Sequence, residues 1–140
     1  MGVPFLHRFK SAAVRSPAGK PDLTATFHAW PLSLVGAHGP QFLNFSIIGL
    51  GETAPRGAGI FVYARRATDG QWQALYIGET ADMRNRLSFN EIAADALMSG
   101  ATDIHVLMTG NDIETRRRTC EQMIRINRPL LNEASGAAAG

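Results

Sequence analysis

Several features that mark common protein classes are missing from this chain of 140 residues. Cys120 is its single cysteine, so a disulfide within the chain cannot form and a cysteine-based zinc site is not expected. No apolar run reaches the length of about 20 residues that a transmembrane helix requires. Residues 1–10 lack the long apolar stretch of a signal peptide. We therefore expect a cytoplasmic protein that does not contact a membrane.

Lysine is scarce. Lys10 and Lys20 are the only two lysines among 14 basic residues, and the others are arginines. A planar guanidinium group can pair with two phosphate oxygens at once, which favours a nucleic-acid partner. A GC-rich genome would enrich arginine equally well, and the net charge of +2 does not separate the two explanations.

Motifs of several enzyme classes are also missing. The four histidines, His7, His28, His38 and His105, show no spacing typical of metal ligands. The sequence contains no glycine-rich phosphate loop, no nucleophile elbow and no paired-carboxylate motif. These absences argue against a P-loop nucleotide hydrolase, an α/β-hydrolase and a histidine-ligated zinc enzyme.

The composition is that of a folded domain with an appendage. Hydrophobic residues make up 45% of the chain and charged residues 19%, so a core can form. We divide the chain into an N-terminal extension (1–56), a domain (57–133) and a flexible tail (134–140). The extension is expected to be partly flexible, with two candidate strands near 24–27 and 42–50. Its basic start is either an arm that touches nucleic acid or a mobile terminus.

The second half shows a clear hairpin pattern. The turn-forming pair Asp69-Gly70 separates predicted strands at 60–65 and 73–78, and a third strand is predicted at 104–108. A two-residue turn would place Tyr63 opposite Tyr76.

In the same register Phe61 faces Gly78, so one face of the hairpin carries tyrosine and glycine. Side chains alternate along a strand, so the opposite face would be apolar core. That core face would consist of Ile60, Val62, Leu75 and Ile77.

Three helices are predicted around these strands. Thr80 can cap the first, and the second ends at Ser99-Gly100. The third begins at Asn111 and stops before Pro129. We therefore expect an α/β domain of the α+β type: a small antiparallel three-stranded sheet flanked by helices.

Four blocks stand in order along this second half, at workable spacings: Gly59-Ile60-Phe61, Tyr76-Ile77-Gly78, Arg86, and a segment from Glu121 through Pro129 to Asn132. In this order they resemble the GIY-YIG nuclease superfamily over about residues 57–133. The resemblance implies a GIY-YIG-like fold and a metal-dependent endonuclease that hydrolyses phosphodiester bonds in DNA. The extension shows no resemblance to this family.

The resemblance implies three catalytic residues. Tyr76 would hold or deprotonate the attacking water, or lie against the phosphate. Arg86 would bind the scissile phosphate and offset charge that develops in the transition state. Glu121 would be the protein ligand of one Mg²⁺ or Mn²⁺ ion, bound otherwise through water and substrate oxygens. That ion would polarise the phosphate and stabilise the leaving oxygen.

The resemblance and the hairpin register also suggest substrate-binding residues. Asn132 would brace the active-site loop by hydrogen bonds. Gly78 would be either a point where the backbone approaches the substrate or a packing gap under Phe61. The full set of substrate-binding candidates is Phe61, Tyr63, Gly78, Arg84, Asn90 and Asn132.

Two positions depart from the family pattern. Phe61 stands where the first block usually has tyrosine, so the ring is kept and the hydroxyl is lost. Asn90 stands where many members have histidine, and an amide is not a base near neutral pH. Tyr63 shares the face of Phe61 and could supply a hydroxyl, but about 6.6 Å further along the strand.

These departures support an alternative function: a weakened or inactive module that binds nucleic acid without cutting it. Its contacts would come from Arg84, Arg86 and Arg116 to Arg118. A third hypothesis is a protein-interaction or toxin-like domain in which residues 1–56 dock a partner. Its apolar patch, which could equally close the core, would be Trp30, Phe42 and Phe45.

Glu121 also has an ordinary structural explanation. Arg117 and Arg125 each lie four residues away on the predicted helix, and either could form an ion pair with it. The sequence does not indicate an oligomeric state.

Overall fold

The structure is a computed structural model that describes residues 26–33 and 41–135. The predicted basic arm and most of the predicted tail lie outside the described residues. The strands are β1 (Phe27–Ser33), β2 (Gln41–Gly49), β3 (Gly59–Arg66), β4 (Trp72–Thr80) and β5 (Asp103–Met108). The helices are α1 (Met83–Ser88), α2 (Ala93–Met98), α3 (Ile113–Asn127) and α4 (Leu130–Ser135).

All five strands form one antiparallel sheet in the order β1-β2-β5-β3-β4. The α+β class is confirmed, but the prediction of a three-stranded sheet is wrong. The predicted strands are present as β3, β4 and β5. The candidate strand near 42–50 is present as β2, whereas β1 begins only at Phe27, where the candidate strand near 24–27 was predicted to end. Both β1 and β2 continue the sheet beyond β5. They pair there because β5 would otherwise leave a row of unpaired backbone groups at its outer edge.

Helix α3 shows that the sheet is curled into a half-barrel. It contacts both β1 and β4, the two outer strands. In a flat sheet four strand spacings of about 4.8 Å would separate these strands by about 19 Å. A helix lying across a flat sheet would reach both only by packing over the strands between them, yet α3 contacts the central strands β2 and β5 little. The sheet therefore wraps around α3, and the extension shares a core with the rest of the chain.

Each face of the sheet carries its own apolar core. The inner core, around α3, consists of Trp30, Leu32, Leu43, Phe45, Ile60, Val62, Ala64, Ala74, Ile77, Leu107, Cys120 and Met123. The outer core, on the side of α1 and α2, consists of Ala54, Phe61, Tyr63, Leu75, Tyr76, Met83, Ala96, Ala101, Ile104 and Val106. Of the proposed apolar patch, Trp30 and Phe45 therefore close the core, and Phe42 is exposed.

The predicted pairing of Tyr63 with Tyr76 is confirmed, although the loop at 67–71 is longer than expected. A bulge compensates, because β4 has one residue more than β3 between the pair Tyr63–Tyr76 and the pair Ala64–Ala74. The extra residue is Leu75, which packs in the outer core instead of beside Ile77 as predicted.

Helix ends follow local capping chemistry. Asp82 and Asp112 are the N-caps of α1 and α3, in place of the predicted Thr80 and Asn111. Helix α3 ends at Asn127. Its C-cap, Arg128, has a left-handed backbone (φ 48°) and is followed by Pro129. Among the described residues no helix is long and apolar enough to cross a membrane.

Two histidines, His28 and His105, pack against tryptophans on the inner face of the sheet. Trp30 Nε1 donates a hydrogen bond of 2.9 Å to Nδ1 of the fully buried His105. The rings of His28 and Trp72 pack against His105 with centroids 5.7 and 4.5 Å away. Burial and His28 lower the pKa of His105 to about 3, and burial and Arg66 lower the pKa of His28 to about 4.

This pair predicts an acid-sensitive fold. Both histidines stay neutral in the folded protein and titrate near 6.5 when unfolded, so the unfolded chain binds more protons below that pH. The free energy of unfolding should fall as pH drops from about 6.5 to 5, by up to about 1.4 kcal/mol per pH unit for each histidine. Urea unfolding followed by tryptophan fluorescence measures it, with His28→Gln reducing the slope. Equal stability at both ends of this range would contradict the assignment.

Candidate active site at the edge of strand β4

A cavity of about 590 Å³ lies along β4, an outer strand of the sheet. Because β4 has no neighbouring strand on one side, side chains from the helices on both faces can meet at this edge. The cavity is lined by Tyr76, Ile77, Gly78, Glu79, Arg86, Arg117, Cys120, Glu121, Ile124 and Asn132. The three residues predicted to be catalytic, Tyr76, Arg86 and Glu121, are all in this set.

Arg86 reaches the cavity from α1. Two residues separate the end of β4 from the start of this helix, and the fully buried Met83 anchors its first turn. The guanidinium carbon of Arg86 lies 5.8 Å from the ring centroid of Phe61, within cation–π range. Its Nε is buried and has no hydrogen-bond partner in the described part of the chain. The guanidinium lines the cavity and forms no ion pair among the described residues, so it can pair with an anion there.

Glu121 reaches the same cavity from α3, on the other face of the sheet. Its side chain is exposed, and among the described residues it forms no ion pair or hydrogen bond. The ordinary explanation, an ion pair with Arg117 or Arg125, is therefore not what the structure contains. Arg117 instead forms its ion pair with Glu79, where Nε lies 3.5 Å from Oε2.

Glu79 is the second carboxylate of the cavity, and two arginines form ion pairs with it. Nε of the buried Arg116 donates to Glu79 Oε1 at 2.7 Å, and Arg117 approaches the other oxygen. A carboxylate engaged in this way is poorly suited to bind a cation. Glu121 is thus the carboxylate of the cavity that is available to a metal ion.

Asn132 braces β4 from α4. The backbone N–H of Ile77 donates to Asn132 Oδ1 at 2.8 Å, and Asn132 Nδ2 donates to the carbonyl oxygen of Ile77 at 2.9 Å. The buried amide of Asn132 therefore satisfies the backbone N–H and C=O groups of Ile77, which point away from β3. These bonds hold the strand between Tyr76 and Gly78.

Gly78 provides space for Phe61. A Cβ atom at position 78 would lie 2.6 Å from Cζ of Phe61 and 3.0 Å from Cε2 of Tyr76. Of the two interpretations from the sequence, the packing gap under Phe61 is therefore what the structure contains, and Gly78 also lines the cavity.

Four candidate substrate-binding residues are not brought to the cavity. Phe61 is 0% exposed, and Arg84 Nε donates to the carbonyl oxygen of Ala54 at 2.8 Å. Asn90 is buried and donates to the Tyr63 hydroxyl at 3.2 Å. Burial raises the pKa of Tyr63, opposed by Asn90 and Arg86, so this phenol stays protonated near neutral pH.

Cys120 lines the cavity but is chemically quiet. Burial, together with the charges of Glu79 and Glu121, raises the pKa of its thiol to about 12. A thiol that stays protonated is a poor nucleophile and a poor metal ligand.

The donor set fits one hard divalent cation held weakly by the protein. No cluster of three or more histidine, cysteine, aspartate or glutamate side chains occurs in the ranges that the structure describes. A single free carboxylate is compatible with Mg²⁺ or Mn²⁺, which retain water and take substrate oxygens as further ligands.

Sequence reasoning missed Glu79 as a residue of the cavity. It named Arg117 only as a contact of the alternative binding module or a partner of Glu121, although one signal for the network with Glu79 was present. Arg116 lies one helical turn before Cys120, so it shares the buried stripe of α3. A buried arginine requires an acid, and Glu79 shares the face of Ile77 by strand alternation.

Comparison of the chain with family models, curated proteins and solved structures gives no match.

The contact at Gly78 predicts a stability effect. Gly78→Ala should lower the free energy of unfolding by about 1–3 kcal/mol, because the methyl group would overlap the Phe61 ring in a packed core. Gly51→Ala is the matched control, since a Cβ there meets nothing within 4 Å, and its effect should stay within about 0.5 kcal/mol. Chemical denaturation measures both, and equal stability of the two variants would rule out the packing gap.

Proposed function

We propose that this chain is a metal-dependent endonuclease that hydrolyses phosphodiester bonds in DNA. One observation carries the proposal: Tyr76, Arg86 and Glu121, from three different elements, line the same cavity. The resemblance of the sequence blocks to GIY-YIG nucleases supports the same assignment. Hairpin, helices, strand and helix follow one another along the chain as that resemblance implies.

Arg86 is the phosphate-binding residue of the proposed reaction. Its cation has no ion-pair partner among the described residues, and its buried Nε lacks an acceptor. A phosphodiester in the cavity would pair with this guanidinium, and the attraction would increase as negative charge develops on the phosphate oxygens. Because the guanidinium rests against the Phe61 ring, it is held in place before substrate binds.

Glu121 is the proposed metal ligand. A divalent ion bound there would act as a Lewis acid on the phosphate. The exposed carboxylate sits on α3, a helix of four turns whose buried face is packed inside the curled sheet. Its position relative to β4 is therefore fixed by the core.

Tyr76 is the phenol of the cavity, and Asn132 bonds the strand beside it. In hydrolysis the oxygen of water bonds to phosphorus, the bond to the leaving oxygen breaks, and a proton moves from water to solvent or leaving group. Tyr76 would either orient that water and relay its proton, giving up its own hydroxyl proton to solvent or to the leaving oxygen, or lie against the phosphate.

Charge-removing variants test the proposal. Glu121→Gln and Arg86→Gln should each reduce Mg²⁺-dependent nicking of supercoiled plasmid by about 100-fold or more, because each removes a group that acts on the transition state. The matched controls are Glu114→Gln, on an exposed position of the same helix, and Arg125→Gln, also exposed. Both should cut like the wild type.

Contaminating nuclease is the main alternative cause of nicking. Equal activity of the wild type and both site variants would show that a contaminating nuclease cuts the plasmid, and it would refute the assignment. Circular dichroism of each variant ensures that lost activity is not lost folding.

A second candidate function is nucleic-acid binding without cleavage. Phe61 favours it, because a fully buried ring without a hydroxyl cannot orient water. The Tyr63 hydroxyl does not replace it, since Tyr63 is buried and bonded to Asn90.

Phe61→Tyr separates the two candidates. Cζ of Phe61 lies against Gly78, which lines the cavity, so an added hydroxyl would be carried toward the cavity wall. For a binding module with an otherwise intact site, the variant should gain Mg²⁺-dependent nicking that the wild type lacks. If the wild type already cuts and Phe61→Tyr changes the rate little, the binding-only function is excluded.

A further inference from the structure

We propose that Arg117 is a second phosphate-binding residue, positioned by Glu79, and that the site therefore takes a nucleic-acid strand with two neighbouring phosphates. This inference rests on the function proposed above and names the form of its substrate. Arg117 and Arg86 line the same cavity from α3 and α1, on opposite faces of the sheet.

The network around Glu79 contains one negative charge and two positive charges, those of Arg116 and Arg117. Arg116, whose side chain is 4% exposed, contacts Glu79 at 2.7 Å. This pair is neutral and largely closed to solvent. The charge of Arg117 is therefore surplus to the network and is presented at the cavity wall.

Arg117 is poorly explained as a structural residue. Its side chain is 64% exposed and its distance to Glu79 is 3.5 Å, a geometry in which ion pairs contribute little to stability. Its Nε lies 3.5 Å from Glu79, and its terminal nitrogens form no hydrogen bond among the described residues, so they can donate to another acceptor. Glu79 thus lies at one end of the fork, and the other end can bind an anion.

Cations that reach one cavity from opposite faces of the sheet can contact two phosphates of one strand. Arg86 would bind the scissile phosphate, and Arg117 would bind the adjacent one along the backbone. The cavity volume of about 590 Å³ lies within the range of about 300–1,000 Å³ found for small-molecule and cofactor sites.

The first test measures binding without cleavage, in EDTA, with a fluorescently labelled single-stranded oligodeoxynucleotide. Arg117→Gln should weaken binding and lower the slope of log affinity against log salt by about 0.7, the loss of one phosphate contact on a single strand. The matched control, Arg125→Gln, changes an exposed arginine of the same helix that does not line the cavity. Its slope should equal that of the wild type.

Short competitors count the phosphates directly. The wild type should bind a trinucleotide with two internal phosphates more tightly than a dinucleotide with one. Arg117→Gln should lose this gain, whereas Arg86→Gln should weaken both. Retention of the full gain by Arg117→Gln would overturn the proposal.

The positioning role of Glu79 needs a separate readout. Glu79→Gln should weaken oligonucleotide binding in the wild-type background and have no further effect in the Arg117→Gln background, since residues acting through one another are not additive. An equal loss in both backgrounds would show that Glu79 does not act through Arg117. Thermal unfolding of each variant identifies any loss caused by the unpaired Arg116.

Failure of this inference is distinguishable from failure of the proposed function. A wild type that never cuts, but whose binding depends on Arg117 as above, refutes hydrolysis and supports the second contact. A wild type that cuts, with Arg117→Gln indistinguishable from it in binding and salt slope, refutes the second contact alone.

Discussion

The wrapping of a five-stranded sheet around helix α3 is the constraint on which the rest of the molecule depends. The helix contacts both outer strands, β1 and β4, so its rotation and height are set by the inner core against which its buried face packs. Burial of Cys120 and Met123 turns Glu121 outward beside β4. The extension contributes to this directly, because β1 supplies one of the two strands that hold the helix.

The partition of charges follows from that placement. Once α3 lies against β4, the buried Arg116 must find a carboxylate, and Glu79 is within 2.7 Å. That pairing leaves Glu121 without a partner in the described chain, and Arg86 keeps a buried Nε without an acceptor. A buried polar group without a partner is costly in a folded protein, whereas the exposed Glu121 carboxylate is hydrated. An unpaired carboxylate and an arginine without an ion pair on one cavity support the function proposed above.

Local sequence patterns predicted correctly those features that depend on residues close together in the chain. The hairpin, the third strand and the long helix before Pro129 were all predicted near their observed bounds. The pairing of Tyr63 with Tyr76 was predicted correctly, but a bulge and a longer loop produce it together, and the same bulge moved Leu75 to the other face. The number of strands was wrong because the partner of β5 comes from the distant β2, and no local pattern encodes that choice.

The sequence by itself determined the types and order of most elements, because strand alternation, helical period and turn chemistry act over a few residues. It also supplied the candidates Tyr76, Arg86 and Glu121, through the resemblance of its motifs to a nuclease superfamily. Only the tertiary structure decided which charges are paired and which are free. Arg116 and Glu79 are 37 residues apart, and their pairing exists because folding brings them into contact. The tertiary structure also removed Phe61, Tyr63, Arg84 and Asn90 from the cavity, since exposure depends on how both faces of the sheet are covered.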